Sequence, residues 1–150
     1  MNKFDKFYMT VARSAAQLSY ANRLKVGAVA VRDTNILAYG YNGTLPGESN
    51  MCEGVNPDGS TYTLDTVLHA EENLLIKMAV SHQSLDGATV YITHQPCIKC
   101  SRMLAAAKVA RVVFDNTYRD PAGLALLLKR NIVVDKFSDE SIINVTLTKV

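Results

Sequence analysis

The sequence predicts a three-layer α/β/α domain, in which a central mixed sheet of five strands is covered by helices on both faces. Three observations predict it. Apolar residues near the N-terminus recur at three- and four-residue steps. Two short β-rich runs follow, separated by turn residues. After a long polar stretch, helical and strand patterns then alternate as far as Val134.

Phe4, Phe7, Tyr8, Val11, Ala12, Ala15 and Leu18 mark one face of an amphipathic first helix. Val26 to Val31 and Ile36 to Tyr41 read as strands, and Asp33, Thr34 and Asn35 turn the chain between them into a hairpin. Asn42 to Asp65 is rich in Gly, Pro, Asn, Ser and Thr and shows no period. A loop of that length inside a small domain is usually functional or flexible. His69 to Val80 reads as a helix, Thr89 to Thr93 as a strand and Cys97 to Ala107 as a helix. Arg111 to Asp115 is a strand, Pro121 to Arg130 a helix opened by a favoured proline, and Ile132 to Val134 a short last strand. From Ser138 the tail alternates weakly and reads as either an edge strand or an unstructured end. No repeat or linker divides the chain, so residues 1–150 are expected to form a single domain with a tail at about 138–150.

Composition excludes several classes. With 48% apolar residues the chain can build a sizeable core. The net charge is only +2 and no basic block stands out, which argues against a surface for long nucleic acid. Met1 to Asp5 lacks the apolar core of a signal peptide, and no apolar run is long enough to span a membrane. A cytoplasmic location is expected (the host cytoplasm if the source is viral). Three cysteines fit a closed disulfide framework poorly, and Cys97 and Cys100 lie in a C-x-x-C spacing suited to metal or redox chemistry.

The chemistry concentrates in His69-Ala70-Glu71, Pro96-Cys97 and Cys100. On the first turn of a helix, residues three apart face one point, and the positive end of the helix favours thiolates there. His69 also opens a helix. If the two helix starts lie side by side, one imidazole and two thiolates offer Zn²⁺ three protein ligands with the fourth position open. Water at that position would have its pKa lowered towards about 7. Glu71 lies too close to His69 to be a comfortable second ligand, yet within reach of that water as a proton shuttle. A structural zinc site would need a fourth protein ligand, which Cys52 or His94 could supply. A thioredoxin-like redox role would leave His69 and Glu71 unexplained.

H-x-E followed by P-C-x-x-C is the signature of zinc nucleobase deaminases. The chain resembles the deoxycytidylate deaminases of the cytidine deaminase superfamily from about Lys3 to Val134. The resemblance rests on K-V-G-A-V at Lys25 to Val29, G-Y-N-G at Gly40 to Gly43 and H-A-E-E-N at His69 to Asn73. It continues through Y-I-T-H-Q-P-C-I-K-C at Tyr91 to Cys100 and Y-R-D-P at Tyr118 to Pro121. It implies a cytidine-deaminase-like fold. The implied activity is hydrolysis of dCMP to dUMP and ammonia, supplying dUMP for thymidylate synthesis. His69, Cys97 and Cys100 would hold one catalytic zinc, and Glu71 would shuttle protons. Asn42 would bond the sugar and the backbone N–H of Ala70 the pyrimidine edge. Arg23, Lys25, Tyr118 and Arg119 would meet the phosphate. The resemblance further implies a homo-oligomer, often a hexamer, with dCTP and dTTP as effectors at Gly40, Tyr41, Asn42, Gly43 and the loop after them.

Some relatives carry a second, structural zinc on the long loop, but here only Cys52 and His94 could serve it. One zinc and a free Cys52 are therefore expected, with His94 in the substrate pocket or supporting it. Glu72 is expected to face solvent, Asn73 to support the backbone of the zinc site, His82 to end the second helix, and Tyr20, Tyr39, Tyr41 and Tyr62 to lie in the core. A tRNA adenosine deaminase should show a broader basic surface. A free-cytidine deaminase normally has cysteine in place of His69, and a riboflavin-pathway deaminase usually carries a reductase domain. A non-catalytic zinc or nucleotide-binding module would have no use for Glu71.

Overall fold

The computed structural model describes residues 3–149; Met1, Asn2 and Val150, the ends of the expected domain, lie outside the described residues. Helix α1 (Lys3–Ala16) leads into the antiparallel pair β1 (Gly27–Arg32) and β2 (Asn35–Tyr41), as the hairpin pattern predicts. The buried face of α1 is Tyr8, Met9, Ala12, Ala15 and Ala16, whereas Phe4, Phe7 and Leu18 are exposed. The expected stripe is thus rotated: small residues let the helix lie close on the sheet, and the larger rings fall to its edge.

The remaining main elements are α2 (Ala70–Val80), β5 (Thr89–His94), α3 (Ile98–Ala106), β6 (Arg111–Asn116), α4 (Ala122–Lys129), β7 (Val133–Phe137) and β8 (Ile142–Asn144). The long loop carries a small separate hairpin, β3 (Glu53–Val55) with β4 (Thr61–Thr63). The main sheet runs β2-β1-β5-β6-β7-β8, with β5, β6 and β7 parallel and the other pairs antiparallel. It has six strands where five are expected. The tail adopts the edge-strand alternative, β8 on β7, because its weak alternation meets an open strand edge.

Strand alternation sorts the core into two layers. Val29, Val31, Tyr91, Val113 and Phe137 face α1. Ala28, Ala30, Val90, Ile92, Val112 and Phe114 pack with residues of α2, α3 and α4 on the other side. The three-layer α/β/α arrangement is the expected one. Beneath α1, Arg111 donates to Asp5 at 2.9 Å and to Asp135 at 2.7 Å, and Tyr91 donates to Asp5 at 2.8 Å, so two buried carboxylates are paired. Tyr20, Tyr39 and Tyr62 are exposed rather than core, because they sit on the edge strand and the surface loops. Among the described residues, no helix is long and apolar enough to cross a membrane.

Candidate metal centre and substrate cavity

His69 and Cys97 each occupy the N-cap of a helix, α2 and α3, with extended backbone (φ −68°, ψ 159° and φ −70°, ψ 168°). Their positions are fixed from behind. Gly43 and Leu68 exchange backbone hydrogen bonds at 3.1 and 2.8 Å, and Asn73 donates to the Tyr41 carbonyl at 2.9 Å. Glu72 accepts the His69 backbone N–H at 2.9 Å, one half of a capping box. Glu72 is therefore a half-buried cap rather than a solvent-facing charge. Asn73 has the supporting place expected of it. Gly40 is buried under α2, where an added Cβ would lie 2.4 Å from the Ala70 carbonyl oxygen and 2.7 Å from the Leu74 nitrogen. That close approach brings the start of α2 down beside α3.

The result is a compact donor set. His69 Nδ1 lies 3.7 Å from Cys97 Sγ and 3.4 Å from Cys100 Sγ, and the three ligand atoms fall within 4.8 Å of one another. Tetrahedral zinc with bonds of about 2.0–2.1 Å to nitrogen and about 2.3 Å to sulfur places N and S roughly 3.5 Å apart, so the set fits the ion. No other cluster of His, Cys, Asp or Glu suited to a metal occurs among the described residues. Cys52 is not part of the centre. It is buried beside Ala21 and Val67, its thiol donates to the Asn50 carbonyl at 3.5 Å, and burial pushes its pKa up. It is the free thiol expected, and no further His, Cys, Asp or Glu joins the three ligands among the described residues.

The ligands share protons as a set. The Cys97 thiol is held down at about 3, first by a hydrogen bond from Cys100 and then by the His69 ring, and Cys100 is pushed up, chiefly by its hydrogen bond to Cys97 and then by burial. His69 is raised, chiefly by its hydrogen bond to Cys97. A divalent cation replaces such shared protons and favours both thiolates. Glu71 is 4% exposed, and burial lifts its carboxyl to about 7 against the opposing pull of its own backbone amide and His69. That is the range in which a group can both take and return a proton near neutral pH.

His69, Glu71 and Cys97 open on a cavity of about 330 Å³, lined also by Asn42, Ala70 and Tyr118. Asn42 accepts from the Val26 N–H at 2.8 Å and donates to the Leu24 carbonyl at 2.7 Å, so its amide also braces the neighbouring wall. Arg23, Lys25 and Arg119 are exposed and do not line the cavity; each only adjoins a lining residue, Leu24 or Tyr118. The Gly40–Gly43 segment divides. Asn42 faces the first cavity, while Tyr41 and Gly43 line a second of about 210 Å³ with Lys77 and Cys52. Gly40 packs under α2 and lines neither cavity.

Two lining residues are given no role by sequence reasoning, Gln95 although it lies within the Tyr91 to Cys100 motif. Glu53, on β3, accepts the backbone N–H groups of Asn22 (2.8 Å) and Arg23 (3.1 Å) and so ties the small hairpin to one wall. Gln95 is buried; it donates to the Asp120 carbonyl at 2.8 Å and accepts from the Tyr118 N–H at 3.1 Å, which fixes the opposite wall. Neither could be found without the fold, since both act on backbone more than twenty residues away.

Residues 2–116 match the sequence model of the cytidine and deoxycytidylate deaminase zinc-binding region. The chain belongs to the cytidine and deoxycytidylate deaminase family. Among its relatives, a deoxycytidylate deaminase of Mycobacterium phage D29 is 36% identical over 121 residues, covering 74% of this chain and 93% of the relative. The deoxycytidylate deaminase of Saccharomyces cerevisiae is 34% identical over 141 residues, 90% of this chain but 45% of the yeast protein's length. In structure, the deaminase is similar to the dCMP deaminase of cyanophage S-TIM5, crystallised in complex with dCMP and dUMP. Their TM-score is 0.83 at 42% identity, over 91% of this chain and 99% of the other. The deaminase thus carries the zinc-binding region of its family, with His69, Cys97 and Cys100 placed to hold one ion.

Proposed function

We propose that the chain is a dCMP deaminase, hydrolysing dCMP to dUMP and ammonia with one zinc ion held by His69, Cys97 and Cys100. The observation that carries the reading is a buried carboxyl, Glu71, beside a three-ligand centre that opens on a cavity. Its similarity to a phage enzyme crystallised with dCMP and dUMP supports the choice of nucleotide. Zinc, when bound, supplies a Lewis acid that makes water nucleophilic at neutral pH.

Everything else falls to the chain's own residues. Glu71 takes a proton from the attacking water and delivers it to N3 of the pyrimidine; it then takes the second proton, from the hydroxyl now on C4, and gives it to the amine nitrogen, which leaves as ammonia as the C4–N bond breaks and C4=O forms. The first-turn N–H of Ala70 has no partner within its helix and meets the pyrimidine edge. Asn42 keeps one N–H and one lone pair for the sugar after bracing Leu24 and Val26. Tyr118 bounds the nucleotide, and Arg23, Lys25 and Arg119 supply positive charge outside the lining for its phosphate. The chain acts as one deaminase domain, in the cytoplasm, as a homo-oligomer. dCTP and dTTP would meet Tyr41, Gly43 and Lys77 at the second cavity.

A substrate panel tests the reading. Loss of cytosine absorbance and ammonia release should be fastest with dCMP and at least tenfold slower, as kcat/KM, with deoxycytidine, CMP, dCTP or adenosine. Equal rates with deoxycytidine would remove the phosphate from the specificity. Turnover with dCMP that ignores added dCTP and dTTP would remove the effector role of the second cavity.

A further inference from the structure

His94 ends β5 and lines the cavity between the start of β1 and the end of β6, and the zinc chemistry gives it no task. Its ring is held by its own neighbour. Thr93 Oγ1 lies 3.0 Å from His94 Nδ1, and the same hydroxyl accepts the backbone N–H of Gly27 at 3.1 Å. Thr93 is 4% exposed, and these are its hydroxyl's two partners among the described residues.

That geometry decides the direction of the second bond. A hydroxyl has one proton to give, and the Gly27 N–H already points at its oxygen. If Nδ1 carried the ring proton, the hydroxyl would accept twice and its own proton would have no buried acceptor. The arrangement is satisfied only when Thr93 donates to Nδ1. Nδ1 is then an acceptor, and in a neutral imidazole the proton sits on Nε2. Burial pushes the ring's pKa below its ordinary value, with Asp115 acting the other way, so the site favours the neutral ring.

We propose that His94 is a substrate-binding residue that presents Nε2–H to an acceptor oxygen of the bound nucleotide, and that Thr93 is the positioning residue that selects this tautomer. The inference rests on the reading of the cavity as a nucleotide site. A neutral donor suits that place. It recognises an oxygen without adding a positive charge beside the zinc centre, and its orientation is set before substrate arrives because Thr93 is itself anchored to the start of β1. Glutamine carries an amide nitrogen at a similar reach, whereas phenylalanine keeps the ring's shape and gives no donor.

Nitrogen-15 NMR of the histidine rings in the zinc-loaded protein tests it, with His94→Phe assigning the resonance. The free protein should show the neutral Nε2–H tautomer, and the product dUMP should shift that nitrogen. His94→Phe should raise the KM for dCMP about tenfold, the size expected for one lost hydrogen bond, with kcat changed less than threefold. His94→Gln should stay within about threefold of wild type. Thr93→Val should move population to the Nδ1–H tautomer and raise KM, and Thr93→Ser should restore both; a purely structural threonine would lower Tm without moving the tautomer. An Nδ1–H ring in the free protein, no response to dUMP, or an unchanged KM in His94→Phe would overturn the proposal. Failure of the wild type to turn over dCMP would instead defeat the reading of the cavity, while the tautomer in the free protein would still decide the role of Thr93.

Discussion

His69 Nδ1 stands 3.4 Å from Cys100 Sγ although 31 residues separate them, because each lies at the start of its own helix and both helices lie on one face of the sheet. Neither helix end alone can hold the ion. Cys97→Ser and Cys100→Ala should each cut zinc content below a tenth of an equivalent and lower Tm by several degrees, since metal binding free energy adds to folding free energy. Metal analysis and a thermal melt check both. A variant retaining full zinc would show that a different residue binds it.

Glu71 has a different task from the ligands. Glu71→Gln keeps the shape and removes the proton shuttle, so zinc should stay near one equivalent while kcat falls at least 10²-fold. Wild-type turnover in Glu71→Gln would place the proton transfer elsewhere.

The same carboxyl predicts a pH effect in protein stripped of zinc. Burial raises Glu71 from 4.5 to about 7, so the folded state binds the extra proton and stability falls as pH rises from about 4.5 to about 7. Above that window the buried charge costs roughly 3 kcal/mol, from about 1.4 kcal/mol per pKa unit. Metal-free Glu71→Gln should therefore exceed metal-free wild type in stability at pH 8 and match it near pH 4.5. Denaturant melts at the two pH values read this directly; a difference independent of pH would contradict the raised carboxyl.

Gly40 links the sheet to the centre. In Gly40→Ala the new methyl meets the Ala70 and Leu74 backbone at 2.4 and 2.7 Å, and backbone on a packed helix cannot swing aside. Stability should fall by about 1–3 kcal/mol, and zinc affinity with it as α2 is pushed outward. Competition with a chromogenic chelator measures the second effect. Loss of stability with unchanged zinc affinity would separate the helix contact from the site.

Arg111 offers a contrast far from the chemistry. Arg111→Ala leaves Asp5 and Asp135 buried without their shared cation, which should cost about 3 kcal/mol in a denaturant melt while kcat stays within twofold.

What could be read in advance follows from what each feature depends on. Zinc ligation demands particular residue types at short spacing, so His69, Cys97 and Cys100 stand out in the chain itself. Strands buried on both faces announce themselves as apolar runs, as at Val112 to Phe114. The edge strand β8 does not, because half-exposed residues such as Ile143 and Asn144 carry little pattern and pair only when β7 offers a free edge. Gln95 and Glu53 stay hidden for another reason: their partners are backbone groups, which every residue has. The aromatic rings of Tyr39 and Tyr62 mislead because β-propensity does not say which face is covered.

X-ray absorption at the zinc edge of the loaded protein addresses the open centre most directly. Two sulfurs near 2.3 Å and two nitrogen or oxygen neighbours near 2.0–2.1 Å, about one ion per chain, is the result expected of His69, Cys97 and Cys100 with one position left for water. A third sulfur in the shell would mean that a side chain such as Cys52 closes the site, and a closed site cannot deaminate anything.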